Sequence, residues 1–241
     1  MALDASQTPD APRSGGAGAG LLKATLAVAW KDLQTELRSR EILSAMAVFA
    51  LLAVLIFSFA LELDKTGREA SAAGVLWVTL VFAGTLGLGR SLGREKDQGC
   101  LDGLLLTPVD RSALYFGKMI SNFVFMGLIA LVLAPVLSVL FNVSFFRPLI
   151  PLALLLGVLG YAGVGTLISS MAVFTRGREV LLPVLLLPIA LSIMIPSVRA
   201  TRGLLEGAPF SELAIWFNLL AATNLIYIAL AYMLFDFVME E

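Results

Sequence analysis

Six apolar stretches leave this chain little choice of fold, because each matches the roughly twenty residues that a helix needs to cross a bilayer's hydrocarbon core. They cover residues 42–61, 72–92, 117–141, 149–173, 180–198 and 213–235. No water inside a bilayer can bond exposed backbone N–H and C=O groups, so each stretch must satisfy them within itself as a helix. The expectation is an all-α polytopic membrane protein, with six transmembrane helices forming a single transmembrane domain over residues 21–241. An apolar content of 59% fits that class and not an ordinary soluble domain. The connections after the first, third and fifth stretches are too short to hold a folded domain.

Orientation follows from Lys and Arg. With the N-terminus inside, twelve fall on the cytoplasmic side, against five (Lys65, Arg68, Arg147, Arg199 and Arg202) on the other, which places both termini in the cytoplasm. Residues 1–20, with Asp4, Pro9, Asp10, Pro12 and a Gly/Ala/Ser run, lack the basic start and apolar centre of a signal peptide and read as a disordered cytoplasmic tail.

Over residues 21–40, Leu22, Leu26, Trp30, Leu33 and Leu37 recur at helical spacing, while Lys23, Lys31, Asp32, Glu36 and Arg38 lie mostly elsewhere around the wheel. This pattern predicts an amphipathic helix along the inner membrane surface, with Trp30 in the headgroup zone. It also fits a cytoplasmic extension of the first span.

Between the second and third spans, residues 93–114 form the largest water-facing loop after the N-terminus. Charge is dense at both ends, in Glu95, Asp97, Asp110 and Arg111, and Gly99, Gly103 and Pro108 supply turn signals. Leu101, Leu104 and Leu105 share one face of a short helix, with Asp97 or Asp102 near its start to favour the dipole. An apolar face in water needs cover, from the membrane surface or from a partner protein.

Within the spans, Gly157, Gly160, Gly163, Gly165, Ser169 and Ser170 give the fourth a smooth face for close helix approach. Pro183, Pro188 and Pro196 punctuate the fifth, each removing a backbone donor and tending to bend the helix. No span carries a buried charge on this reading, and Asn122, Asn218 and Asn224 are the strongest polar candidates for interhelical hydrogen bonds. Ion-coupled transport ordinarily uses an intramembrane carboxylate, so secondary transport is disfavoured.

The chain contains no histidine, which removes the commonest general base, most zinc sites and the usual haem ligand. The single Cys100 cannot make an internal disulfide. A net charge of -1 without basic-aromatic interleaving argues against nucleic acid as a partner. No catalytic acid, base or nucleophile set falls inside the spans, so the chain reads as a non-enzyme.

The run EKDQGCLDGLLLTPVDRSALYFGK from Glu95 to Lys118 resembles the cytoplasmic hallmark of the haem exporter protein B (CcmB) family, and so does TRGREVLLPVLLLP from Thr175 to Pro188, between and into the fourth and fifth spans. The likeness covers about residues 22–235, including the six-span layout. It implies an ABC-2-like permease subunit of the bacterial inner membrane, dimeric and working with a separate ATPase (CcmA-like). It also implies a haem-handling membrane protein (CcmC-like), a small helper (CcmD-like) and delivery of haem to a periplasmic chaperone (CcmE-like) in c-type cytochrome biogenesis. On this resemblance the 95–111 loop couples to the ATPase, with Arg176, Arg178 and Glu179 as a second cytoplasmic contact. Haem is then substrate, ATP belongs to the partner, and this chain binds no cofactor itself; it has no Gly-rich, Lys-Ser/Thr P-loop pattern. Some relatives carry Glu at the position of Asp102 and an acidic residue at that of Gly89. Export of lipid, polysaccharide or drug by a related permease, and a non-transporting scaffold for chaperone loading, are the alternatives.

Overall fold

A computed structural model describes residues 17–61, 65–97, 99, 111–173, 175 and 177–238. These residues form seven helices: α1 (Ala17–Ser39), α2 (Glu41–Ala60), α3 (Lys65–Asp97), α4 (Arg111–Phe141), α5 (Ile150–Ala172), α6 (Arg178–Glu206) and α7 (Phe210–Val238). No strand occurs among the described residues. Helices α2 to α7 are each long and apolar enough to cross a membrane, so the polytopic all-α architecture with six spans stands.

The seven helices match the expected interfacial helix and six spans in order, the short helix expected at residues 101–105 lying outside the described residues, but several ends run further into the charged segments. The second expected span, residues 72–92, is part of a helix of 33 residues, about 50 Å long against a hydrocarbon core of about 30 Å. Helix α4 likewise starts at Arg111 rather than at 117, and α1 at Ala17 rather than at 21. Residues 1–16, which hold most of the expected tail, lie outside the described residues. Charge does not stop a helix when charged side chains find partners across a helix junction, and Arg94, Glu95 and Asp97 at the end of α3 do.

The centre of the bundle is built by α3 and α5, the two most enclosed spans, with α2 and α7 at the periphery. Small residues let them approach. A Cβ built on Gly157 of α5 would lie 2.1 Å from the Trp77 ring of α3 and 2.6 Å from Ser197 Oγ of α6, so glycine is required where the three helices meet. Polar side chains in this core bond across helices: Trp77 Nε1 donates to Thr201 Oγ1 at 3.0 Å, and Tyr161 OH donates to the Val81 carbonyl at 3.0 Å. Asn122 Nδ2 donates to Thr166 Oγ1 at 3.0 Å and Asn224 Nδ2 to the Leu156 carbonyl at 3.0 Å, as expected for both. Asn218 instead is exposed on α7, with no hydrogen-bond partner among the described residues.

Helix α1 is separate from α2, because Arg40 between them takes a left-handed conformation with φ 53°. It packs mainly on α4: Val28 fills the space above Gly117, and Ser121 Oγ reaches the Ala29 carbonyl at 3.4 Å. The packed face is the stripe Thr25, Ala29, Asp32 and Glu36, while Leu22, Leu26, Trp30 and Leu37 stay exposed. That arrangement leaves the apolar face free for lipid, as an interfacial helix requires. Helix α6 runs unbroken through Pro183, Pro188 and Pro196.

Candidate functional site

The last two turns of α3 present two faces to different neighbours. Ser91 and Glu95, four residues apart, face α1 and α4; Arg90, Arg94 and Asp97, at spacings of four and three, face α2 and α6. Each face ends in ion pairs.

On the first face, Lys118 of α4 sits between two carboxylates, 2.8 Å from Asp32 of α1 and 2.8 Å from Glu95 of α3. Its side chain is only 3% exposed, which corrects the expectation that no charge is buried near a span. The expected third span began at 117 and read Lys118 as a loop edge; the earlier start of α4 and the cover supplied by α1 bury it instead. Lys31 closes the group, pairing with Glu95 and lying 3.3 Å from Asp32. Burial works against the Lys31 ammonium, but its hydrogen bond to Glu95 and the charges of Asp32 and Glu95 hold its pKa above the ordinary lysine value. Two cations and two carboxylates thus tie three helices together with no net charge. Beside them the buried Glu36 carboxylate accepts the Leu43 N–H at 2.7 Å, fixing the α1–α2 turn.

On the second face, Asp97 accepts both forks of Arg178, at 3.0 and 2.5 Å, and Arg178 lies over Gly93, where a Cβ would meet its guanidinium at 3.3 Å. Arg94 lies 3.5 Å from Glu41 and 3.3 Å from Ser39 Oγ. Between α2, α3, α5 and α6 these residues rim a cleft of about 730 Å³. Its deeper walls are Ile42, Leu86, Ala172, Val173, Leu182 and Pro183.

Glu95 is therefore turned to partners within the chain, and the exposed Asp97 meets Arg178 of the other expected contact segment. Gly99 takes a left-handed φ of +66°, and its N–H donates to the Lys96 carbonyl at 3.0 Å, the glycine stop that ends α3. Arg111 opens α4, and Glu179 is exposed in the first turn of α6. Leu101, Asp102, Gly103, Leu104, Leu105, Pro108, Asp110 and Arg176 lie outside the described residues, as does Cys100. Sequence reading missed Lys31, Asp32 and Lys118 as a group. The signal was a lysine one turn inside an apolar run, with carboxylates on two helices that flank it.

The profile of the CcmB protein family matches residues 23–238. The chain is 23% identical over 189 residues to heme exporter protein B of Pseudomonas aeruginosa, covering 78% of this chain and 84% of that one. It is 26% identical over 195 residues to heme exporter protein B of Rhodobacter capsulatus, covering 80% and 89% of the two chains. The protein of the same name from Bradyrhizobium diazoefficiens is 26% identical over 172 residues, 69% of this chain and 78% of that one. A match spanning every helix but the first six residues of α1, on a six-span architecture, makes this chain a member of the CcmB protein family.

Proposed function

We propose that this chain is the membrane permease subunit of an ABC-type haem exporter, driven by ATP hydrolysis on a separate subunit and serving c-type cytochrome biogenesis. Its relatives' name supports haem as the substrate. The observation that carries the coupling role is the bracing of both ends of the 98–110 segment. On one side Glu95 and Lys118 join α3 to α4 and α1; on the other Asp97 and Arg178 join α3 to α6. A push on that segment would reach four helices through rigid ion pairs rather than dissipate in a loose loop. Leu101, Leu104 and Leu105 supply its apolar docking face, with Asp102 and Asp110 as charged flanks for a basic surface on the ATPase. Arg178 belongs to the brace, while Arg176 and Glu179 remain the second contact. The segment lies on the cytoplasmic side and the subunit works as a homodimer in the inner membrane. CcmC-like and CcmD-like proteins stand beside it as haem partners.

The test is copurification of the chain with its neighbouring ATPase, repeated with Leu101→Asp and Leu104→Asp together. The expected result is loss of assembly and of subunit-stimulated ATP turnover, and loss of holocytochrome c in cells. Unchanged assembly and turnover would overturn the coupling role. Intact cytochromes with an altered envelope in a deletion strain would point to export of lipid, polysaccharide or drug instead.

A further inference from the structure

The cleft of about 730 Å³ between α2, α3, α5 and α6 shares Asp97, Arg178 and Glu179 with the coupling contacts just described, but the rest of its lining has no part in them, and its chemistry points to an occupant. Three guanidinium groups and three carboxylates line it: Arg90, Arg94 and Arg178 with Glu41, Asp97 and Glu179. Two pairs are spent internally, Arg178 on Asp97 and Arg94 on Glu41. Arg90 on α3 and Glu179 on α6 are exposed, and neither forms an ion pair among the described residues. The cleft therefore offers one unspent cation and one unspent anion from two different walls.

Helices α2 and α6 both pack on α3 but make at most marginal contact with each other, so the α3 face that carries Leu86 and Arg90 opens to lipid between them. Arg90 precedes the end of α3 by seven residues, about 10 Å along the axis, and sits just before the end of the apolar run at 92, a depth that suits the headgroup level. On the other side of Gly89 the lining combines apolar Leu86, Leu182 and Pro183 with the hydroxyls of Thr85 and Ser169. Gly89 leaves room between: a Cβ there would have only Leu182 near it, at 3.4 Å. A volume of this size suits a headgroup with the first part of its acyl chains.

We propose that this cleft binds a zwitterionic phospholipid of the phosphatidylethanolamine type, its phosphate on Arg90 and its ammonium on Glu179. A balanced rim gives no excess attraction for an anionic phosphatidylglycerol. Phosphatidylcholine has the same charges, but its quaternary nitrogen has no N–H to donate to the carboxylate. The reading rests on neither haem nor ATP, although Glu179 is shared with the proposed second contact, and lipid binding is read without the ATPase present.

The full chain, delipidated in detergent micelles, is titrated with phosphatidylethanolamine, phosphatidylglycerol and phosphatidylcholine and followed by native mass spectrometry. The expected result is ethanolamine lipid bound about tenfold tighter than the other two, and a loss of about tenfold or more on Arg90→Ala. Glu179→Gln lowers the ethanolamine lipid to the level of the choline lipid, a change that a purely structural role would not produce. Gly89→Leu, which fills the cleft without touching a charge, weakens all three. Because Glu179 is exposed, its variant carries the test even should the Arg90 variant fold poorly. Equal binding of the three lipids, tighter binding of phosphatidylglycerol, or an ethanolamine preference that survives both charge variants overturns the proposal. So does a porphyrin dicarboxylate that displaces the lipid from the wild-type chain but not from the Arg90→Ala chain, since the cleft would then belong to an amphipathic dianion.

Discussion

Lys118 holds a charge that is 3% exposed, and its position is tenable only because Asp32 and Glu95 flank it at 2.8 Å each. Removing the cation leaves Lys31 alone against two carboxylates with little water, and breaking a buried pair in this way costs about 3–5 kcal/mol. Lys118→Met is therefore expected to lower the unfolding midpoint in micelles sharply. Adding Glu95→Gln should recover much of the loss, because Lys31 then faces the single carboxylate of Asp32 and the group is again neutral. A single variant as stable as the wild type would show that water reaches the group. The sequence carried every member of this group, yet spacing alone could not assemble it. Asp32 and Lys118 are 86 positions apart, and only the packing of α1 on α4 brings them together.

At the scale of elements, the α3–α5–α6 junction rests on the absence of one side chain. Gly157→Ala would place a Cβ 2.1 Å from the Trp77 ring, which is buried and held by its hydrogen bond to Thr201, and 2.6 Å from Ser197 Oγ. Overpacking of this kind typically costs about 1–3 kcal/mol, so the variant should unfold earlier and become more open to protease. Trp77→Phe shortens the ring that clashes, and the double variant should be more stable than the sum of the two single losses predicts. Additive losses would place the strain elsewhere. The smooth face of the fourth span was legible, since small residues are what let membrane helices close up. Helix ends were not. Apolarity marks where lipid stops, but a helix stops where its backbone runs out of partners, and α3 continues five residues past its expected apolar end through Glu95 and Asp97.

Across the whole molecule, the alternation of spans gathers the α3 C-terminus and the N-termini of α2, α4 and α6 at one end, and ion pairs join them there. The two segments that sequence reading treated as separate contacts meet through Asp97 and Arg178, a joint visible only once six helices are folded, because the partners lie 81 positions apart. Both groups touch water, so the pair adds little to stability and its worth lies in geometry: a planar guanidinium forked on a carboxylate fixes distance and direction together. Charge reversal separates these roles. Asp97→Arg alone and Arg178→Asp alone should leave the unfolding midpoint nearly unchanged, yet lower subunit-stimulated ATP turnover and holocytochrome c severalfold, because force entering the 98–110 segment would no longer reach α6. The double reversal restores the pair with opposite polarity and should regain much of the activity. Single reversals that leave turnover intact, or a double reversal no better than either alone, would mean that α6 is driven by another route, through Arg176 and Glu179 or through the apolar packing of α6 on α3 itself.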